Sequence, residues 1–356
     1  MIGSYRPVRR KRPIKRPDIR ERDVTVCITG LFRWNYGSGG NRDYGVAALT
    51  VSDRMITAGD VEYEPEQRKV AFMTANAALL VAGDYSVHSE AIVKTHKQVR
   101  GDKAITPHNL ALIYGRQLQQ IKMRQAEDRI LAPLGLNAEA FLAQQREMND
   151  AVAHTLTSQM QDHEGPDVTA LVAGIDHESN GTARIYEVDT HGTARCFDDV
   201  GFAAIGIGGW HARSWLMQSG YVNWWTLAPA LAAVFSAKKA AEVAPGVGRS
   251  TDIHIITKDG INPLWPNVAA RLEELYSEYS QRSETLVRHT VLELQEYILD
   301  PKTYQAETTA KGTAQEGFTA PPGENRSGDS GDPGSGAEAR TDNASEGSSQ
   351  LQGEES

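Results

Sequence analysis

The chain has few cysteines and no long apolar segment. Only Cys27 and Cys196 occur among its 356 residues, too few for a disulfide framework, and Cys27 lies in an apolar run typical of a small buried thiol. The first residues are basic but lack the apolar core of a signal peptide, and no later run has the length of a membrane span. These absences predict a protein of the reducing cytoplasm with no membrane partner.

Several common site motifs are also missing. No His and Cys residues have the spacing of zinc ligands. The GIGG segment at 206–209 resembles a phosphate loop only superficially, because the Lys-Ser/Thr pair of a P-loop does not follow it. His211 and Ser214 have the spacing of one helix face, but no acidic partner is visible, so they are interpreted as packing and surface residues. The sequence implies no metal and no organic cofactor.

Composition divides the chain into three parts. Residues 1–24 form a basic, proline-containing arm, residues 25–300 carry patterned apolar residues, and residues 301–356 form an acidic tail rich in Gly, Ser, Glu and Pro. The tail has too little apolar surface to order itself. Lys and Arg in the arm have affinity for phosphate, but without interleaved aromatic residues they favour a disordered arm or a propeptide over a nucleic-acid-binding segment.

The patterned part switches between strand-like and helix-like segments. Short β-rich runs come first, a helical block follows, and strands and helices then alternate up to a long amphipathic helix at 268–299. Thr106-Pro107 is typical of a helix start, and the block continues as an extended helical insertion at 118–162. Two further helices are predicted at 209–220 and 226–241. This order predicts an α+β fold in which two antiparallel sheets pack together, with helices on both outer faces.

Five residues in this part have a specific joint spacing. Thr25 opens the run Thr-Val-Cys-Ile, Asp53 follows a serine in the second strand, and Thr57 lies four residues further on. Lys69 follows Asp53 by 16 residues, and Gly83 follows Lys69 by 14. The segments FAAIGIGG and DIHIITKDG add to the pattern further along. Together these features resemble the proteasome β-type family of N-terminal-nucleophile (Ntn) hydrolases and its bacterial relatives, HslV and Anbu.

The resemblance implies a fold, an assembly and a reaction. Members of the family share a four-layer αββα sandwich and assemble into rings around an inner chamber. For this chain the resemblance implies a cytoplasmic threonine-type endopeptidase in a homo-oligomeric ring. It implies peptides or unfolded proteins as substrates, and an ATPase unfoldase as a partner.

The resemblance also assigns catalytic roles. Thr25 is the expected nucleophile after removal of residues 1–24, and its own free α-amino group is the expected base. Lys69 is expected to place positive charge beside Thr25, and Asp53 to hold that ammonium in place. The N–H of Gly83 is the expected oxyanion donor. In this scheme Thr25 must be N-terminal to cleave a substrate.

Substrate contacts follow from the same comparison. Thr57 is expected to pair through its main chain with an extended peptide. Four uncharged residues are expected near a specificity pocket that favours cleavage after apolar residues: Ile56, Ala71, Val81 and Tyr85.

Three features depart from the family pattern. Val24 stands where a glycine marks the self-cleavage point, and Ile207 stands where active members carry a serine that hydrogen-bonds the threonine's amine. VAPGVGRSTD replaces the Asp-x-x-Ser element before the late strand, which leaves Ser250, Thr251 and Asp252 as candidate substitutes. These departures keep open a catalytically silent structural or assembly subunit, and the fold also hosts amidases of small molecules.

Simpler structural interpretations exist for parts of the pattern. A lone threonine in a strand is usually only a β-branched residue. Asp53 and Lys69 also fit a structural ion pair that is retained without activity. The glycine-rich segment 33–45 is an insertion between the first two strands, and its composition predicts a mobile loop.

Overall fold

The chain folds as a mixed α+β protein, seen in a computed structural model that describes residues 25–36, 44–58, 61–63, 69–102, 104–165, 167–179 and 181–299. The predicted basic arm, the acidic tail and the centre of the insertion after the first strand lie outside these residues.

The elements follow in chain order. The strands are β1 Cys27–Asn35, β2 Tyr44–Asp53, β3 Ile56–Ala58, β4 Val61–Tyr63, β5 Val70–Phe72, β6 Ala77–Gly83, β7 Val168–Asp176, β8 Thr182–Val188, β9 Ala194–Cys196, β10 Phe202–Ile205, β11 Thr251–Thr257 and β12 Gly260–Pro263. The helices are α1 Tyr85–Val99, α2 Pro107–Ala126, α3 Ala138–Gln144, α4 Asp150–Gln161, α5 Gly209–Gln218, α6 Leu227–Ala241 and α7 Pro266–Leu299.

The strands form two five-stranded antiparallel sheets. The first sheet has the order β10-β1-β2-β11-β12, and the second has the order β5-β6-β7-β8-β9. β3 and β4 pair with each other as a short hairpin. The predicted α+β class with two antiparallel sheets is therefore confirmed.

Apolar side chains pack in three main clusters. One contains residues of both sheets, among them Cys27 and Leu80. A second joins the first sheet to α5, α6 and the first turns of α7 and includes Ile28, and a third joins the second sheet to α1 and α2 and includes Leu79. Successive side chains of a strand point to opposite faces, so Cys27 and Ile28, or Leu79 and Leu80, enter different clusters.

The predicted helical insertion consists of several short pieces. α2 passes into a π-helical turn at Glu127–Leu131 and a 3₁₀ turn at Ala132–Leu134, and α3 and α4 follow. Pro133 in the second turn cannot continue an α-helical hydrogen-bond ladder. Three buried residues give the insertion a small core of its own: Leu131, Phe141 and Leu156.

The chain divides into two compact units within α7, between Ser283 and Glu284. The bounds of α7 lie close to those of the predicted helix 268–299. The sequence pattern predicts that the domain ends at residue 300, after this helix. Residues 284–299 are all exposed. An amphipathic pattern predicts a helix but does not show what covers its apolar side. None of the helices in the described ranges is long and apolar enough to cross a membrane.

The segment predicted as a mobile loop, 33–45, begins and ends as strand. Arg33 pairs with Val46 and Asn35 pairs with Tyr44, so the β1–β2 hairpin extends into the insertion. Residues 37–43 lie outside the described part of the chain. The Gly and Ser residues in the centre of the segment favour a loop, whereas the aromatic residues on either side of them favour strand.

Candidate active site

Three polar side chains meet just before β1. The Thr25 hydroxyl donates to Asp53 Oδ1 at 2.5 Å, and Lys69 Nζ donates to Thr25 Oγ1. Lys69 Nζ also donates to both carboxylate oxygens of Asp53, at 2.9 and 3.1 Å. The hydroxyl of Thr25 therefore contacts both the cation and the anion of a directly bonded ion pair.

Strand pairing brings these residues together. Cys27 in β1 lies opposite Ser52 in β2, so the end of β2 places Asp53 beside Thr25. Lys69 precedes β5, and its carbonyl accepts a hydrogen bond from the N–H of Val81 at 3.2 Å. Cys27 Sγ lies 3.5 Å from the carbonyl oxygen of Val81. The cluster therefore forms where the start of β1, in one sheet, lies beside β5 and β6, in the other.

Backbone donors surround the carboxylate of Asp53. Val26 N–H donates to Oδ1 at 2.9 Å, while Met55 N–H and Gly248 N–H donate to Oδ2 at 3.0 and 2.9 Å. Asp53 is 0% exposed, and Lys69 is 7% exposed. Burying two charges is unfavourable unless the pair is close and further hydrogen bonds satisfy its atoms. Here both conditions are met, so the position of each group is closely defined.

A second buried lysine, which sequence reasoning missed, holds the loop that reaches Asp53. Lys238 lies on α6 with no exposed surface, and its Nζ donates to the carbonyl oxygens of Gly248 and Arg249 at 2.9 and 2.8 Å and to Glu242 at 2.6 Å. Burial lowers the pKa of Lys238, and the hydrogen bond that it donates to Glu242 opposes that shift. The only sequence signal is that Lys238 directly follows the largely apolar run LAPALAAVFSA that opens α6 and lies on the same helix.

The GIGG segment supports the main chain of Thr25. Gly208 N–H donates to the carbonyl oxygen of Thr25 at 3.2 Å. Gly206 has a φ of 84°, and a side chain there would collide with the same carbonyl. Ile207, at the position of the expected serine, packs against the apolar cluster of the first sheet. In this chain the segment contacts Thr25 through backbone.

The candidate substitutes for the Asp-x-x-Ser element have structural contacts of their own. Thr251 pairs with Asp53 across β2 and β11, and its hydroxyl donates to the carbonyl of Arg249 at 3.3 Å. Asp252 accepts two hydrogen bonds from the Arg54 guanidinium, at 3.0 and 2.5 Å. These contacts tie β11 to the end of β2. Ser250 precedes β11 and is partly exposed.

Gly83, the expected oxyanion donor, ends β6. Its φ of 107° lies in the region that favours glycine, and Asp84 after it caps the N-terminus of α1. The Val81 N–H donates to the carbonyl oxygen of Lys69. N–H groups two residues apart on a strand point to the same edge. The Gly83 N–H is therefore directed to the edge of β6 that carries Lys69.

The residues expected near a specificity pocket have different surroundings. Val81 is buried in the cluster between the second sheet and its helices, and Ala71 packs against that cluster. Tyr85 begins α1 and is exposed. The backbone of Ile56 and Thr57 lies in β3, while their side chains lie outside the described part of the molecule. Val81 thus contributes to the core.

One apolar cavity lies elsewhere. It has a volume of about 340 Å³ and shares no residue with the Thr25 cluster; its lining residues are Phe197, Val200, Phe202, Arg213, Met217, Gly220 and Tyr221. Over the ranges that the structure covers, no group of three or more His, Cys, Asp or Glu side chains is placed to hold a metal ion.

No protein-family model matches the chain, and comparison with curated proteins gives no significant match. The geometry of the Thr25 cluster is therefore the basis for assigning a function.

Proposed function

We propose that this chain is a threonine-type peptidase of the Ntn-hydrolase class that becomes active when residues 1–24 are removed. The observation that carries the proposal is the contact of Thr25 Oγ1 with both Lys69 Nζ and Asp53 Oδ1. Asp53 and Lys69 lie 28 and 44 positions from Thr25 in the chain. An ion pair that served stability alone would not require a hydroxyl in contact with both of its charges.

The packing of the sheets gives further support. Helices of the clusters described above cover the first sheet on one side and the second sheet on the other, and a third cluster contains residues of both sheets. This arrangement fits the four-layer αββα sandwich of the proposed class. The same class suggests a homo-oligomeric ring, peptide or unfolded-protein substrates and an ATPase unfoldase as a partner.

The chemistry of the proposed reaction uses the residues in place. Val24 precedes Thr25, so the nitrogen of Thr25 is an amide until the peptide bond between them is cleaved. The freed amine then takes the hydroxyl proton as Oγ1 attacks a substrate carbonyl, which gives a tetrahedral oxyanion. The substrate C–N bond then breaks as the proton passes to the leaving amine, and water hydrolyses the ester on Thr25 Oγ1, which releases the acid and restores the hydroxyl.

Lys69 and Gly83 stabilise the charges of this reaction. The Lys69 ammonium favours a neutral α-amine and a more acidic hydroxyl, since a nearby positive charge disfavours protonation of a base. The Gly83 N–H donates to the oxyanion, a type of contact that contributes about 10²–10³-fold in rate. Asp53 fixes the ammonium at the position where it acts.

Intact mass and peptidase activity test the proposal together. The purified wild-type chain is expected to lose residues 1–24, to begin at Thr25 and to cleave fluorogenic peptides. Thr25→Ala is expected to keep the arm and to have no activity. Thr29→Val is the matched control, because Thr29 is also a buried threonine at the start of β1.

Absence of processing or of peptidase activity would support a different function. A wild-type chain that stays full-length and cleaves no peptide would favour the catalytically silent assembly subunit. Processing without peptidase activity would favour an amidase of a small molecule. Native mass spectrometry of the same sample tests the proposed ring.

A further inference from the structure

A buried histidine touches the peptide unit that carries the proposed oxyanion donor. His88 lies on α1 and has no exposed surface. Its Nε2 lies 2.8 Å from the carbonyl oxygen of Ala82, and its Nδ1 lies 2.5 Å from the hydroxyl oxygen of Tyr114 on α2. Both ring nitrogens are therefore engaged.

The partners define the tautomer of His88. A carbonyl oxygen only accepts hydrogen bonds, so Nε2 carries the proton and donates it to Ala82. Nδ1 then accepts from the hydroxyl of Tyr114. Burial lowers the pKa of His88 to about 4, so the ring is neutral near pH 7 and this tautomer is maintained. A directed chain of hydrogen bonds thus runs from Tyr114 through His88 to Ala82.

These hydrogen bonds end at the peptide unit that contains the Gly83 N–H. The carbonyl of Ala82 and the N–H of Gly83 belong to one planar peptide unit, so a bond that fixes the oxygen also fixes the N–H. A donor on the carbonyl also polarises the unit, which makes its N–H a stronger donor. Strand geometry directs that N–H to the edge of β6 where the Val81 N–H donates to the carbonyl oxygen of Lys69.

We propose that His88 is a positioning residue for the oxyanion site: through Ala82 it orients and polarises the Gly83 N–H towards the oxyanion formed at Thr25. Tyr114 holds His88 in the required rotamer and tautomer. The inference rests on the proposed peptidase function and assigns that site a residue outside the family resemblance. An ordinary buried histidine would affect stability but would not act selectively on the reaction step.

Three variants of the full-length chain separate these two roles. His88→Met removes both hydrogen bonds at similar volume, His88→Gln keeps a donor at the position of Nε2, and Tyr114→Phe removes one hydroxyl. Thr95→Val is the matched control on α1, since Thr95 is buried and its hydroxyl has no hydrogen-bond partner among the described residues. The measurements are the intact mass, thermal unfolding, and kcat and KM for a fluorogenic peptide.

The expected pattern is a split between kcat and KM. His88→Met is expected to lower kcat about 10–100-fold with KM unchanged, a part of the effect of losing an oxyanion donor. His88→Gln is expected to restore kcat to within about threefold, and Tyr114→Phe to give an intermediate loss. Thr95→Val is expected to leave kcat unchanged.

The contrary outcomes are distinct. Suppose that the wild type is active and that a folded His88→Met chain keeps its kcat, or that Thr95→Val lowers kcat equally. Either result overturns the role of His88 and leaves the proposed peptidase function in place. If His88→Met does not fold, Tyr114→Phe decides, and an unchanged kcat overturns the role. If the wild type neither processes itself nor cleaves peptides, the peptidase fails first and the role of His88 fails with it.

Discussion

The ammonium of Lys69 lies against the hydroxyl of Thr25, although 44 residues separate them in the chain. The contact is built from two sheets, because Thr25 precedes a strand of the first and Lys69 precedes a strand of the second. The carboxylate of Asp53 bonds to both groups, so all three have partners within a buried site. Electrostatic groups that are already in position need no reorganisation during a reaction.

Replacing Lys69 by methionine is expected to destabilise the fold as well as to abolish activity. The change leaves the buried Asp53 carboxylate without its cation, and breaking a buried pair by removing one partner costs about 3–5 kcal/mol. Urea unfolding measures this cost without reference to function. The peptidase rate is expected to fall at least about 100-fold if Lys69 tunes Thr25 as proposed.

The double variant Asp53→Asn/Lys69→Met separates the two effects of that change. With both charges removed, much of the lost stability is expected to return, while activity stays absent. A double variant as unstable as Lys69→Met alone would show that the uncompensated carboxylate is not the cause.

Lys238→Met is expected to loosen the loop that contacts Asp53. The carbonyl oxygens of Gly248 and Arg249 lose a buried donor, and unsatisfied buried groups cost about 1–3 kcal/mol each. Lys239→Met is the control, because Lys239 bonds to the same Glu242 but its other partner is the exposed Glu273. Hydrogen exchange at Gly248 is the direct measurement, and it is expected to be faster only in Lys238→Met. Equal exchange in both variants would contradict the role of Lys238.

The spacing of a few residues carried much of the site prediction. Asp53, Lys69 and Thr25 are near strand ends, and strand ends are positioned by the pairing of short, strongly patterned runs. The predicted strands in those runs are confirmed, and the three residues do meet. The sequence pattern does not connect Lys238 or His88 with these residues, because each of them contacts a backbone carbonyl and no side chain of the cluster. The positions of carbonyl oxygens depend on loop conformation and helix packing. The spacing of residue types along the sequence does not show either of these.

Short strands and the packing of strand faces are also difficult to predict from the sequence. Strands β9 and β12 are three and four residues long, too short to give a periodic signal. Val81 is expected near a specificity pocket from its place in the chain, and the structure shows that it packs in the cluster that contains α1 and α2. Which face of a strand is covered is a property of the packed fold, not of the strand's own sequence.

Acidification is expected to destabilise the wild type more than His88→Gln. The pKa of His88 is about 4 in the folded chain, against 6.5 for an ordinary histidine, because burial disfavours the charged ring; the bond to Ala82 and the charge of Asp84 oppose the shift. Above pH 6.5 neither state binds the proton, so this contribution to stability is fully present. As the pH falls from 6.5 to 4, the unfolded chain binds a proton that the folded chain excludes, and about 3 kcal/mol is lost.

Urea unfolding of both proteins at pH 7 and pH 4.5 measures this difference. The wild type is expected to lose the larger free energy of unfolding between the two pH values, since glutamine does not titrate. Equal losses in the two proteins would show that His88 binds a proton equally well in the folded and unfolded chain.

Gly206→Ala is expected to displace the main chain of Thr25. Gly206 has a φ of 84°, which alanine adopts only with strain, and an added Cβ would collide with the carbonyl and side chain of Thr25. Gly220→Ala is the matched control: its φ is 65°, and nothing lies within 4 Å of an added Cβ. The control reports backbone strain alone, about 1–3 kcal/mol. Urea unfolding is expected to show a larger loss for Gly206→Ala, and peptidase activity to fall in that variant only. If the two variants unfold alike, the close contact between the GIGG segment and Thr25 does not constrain the site.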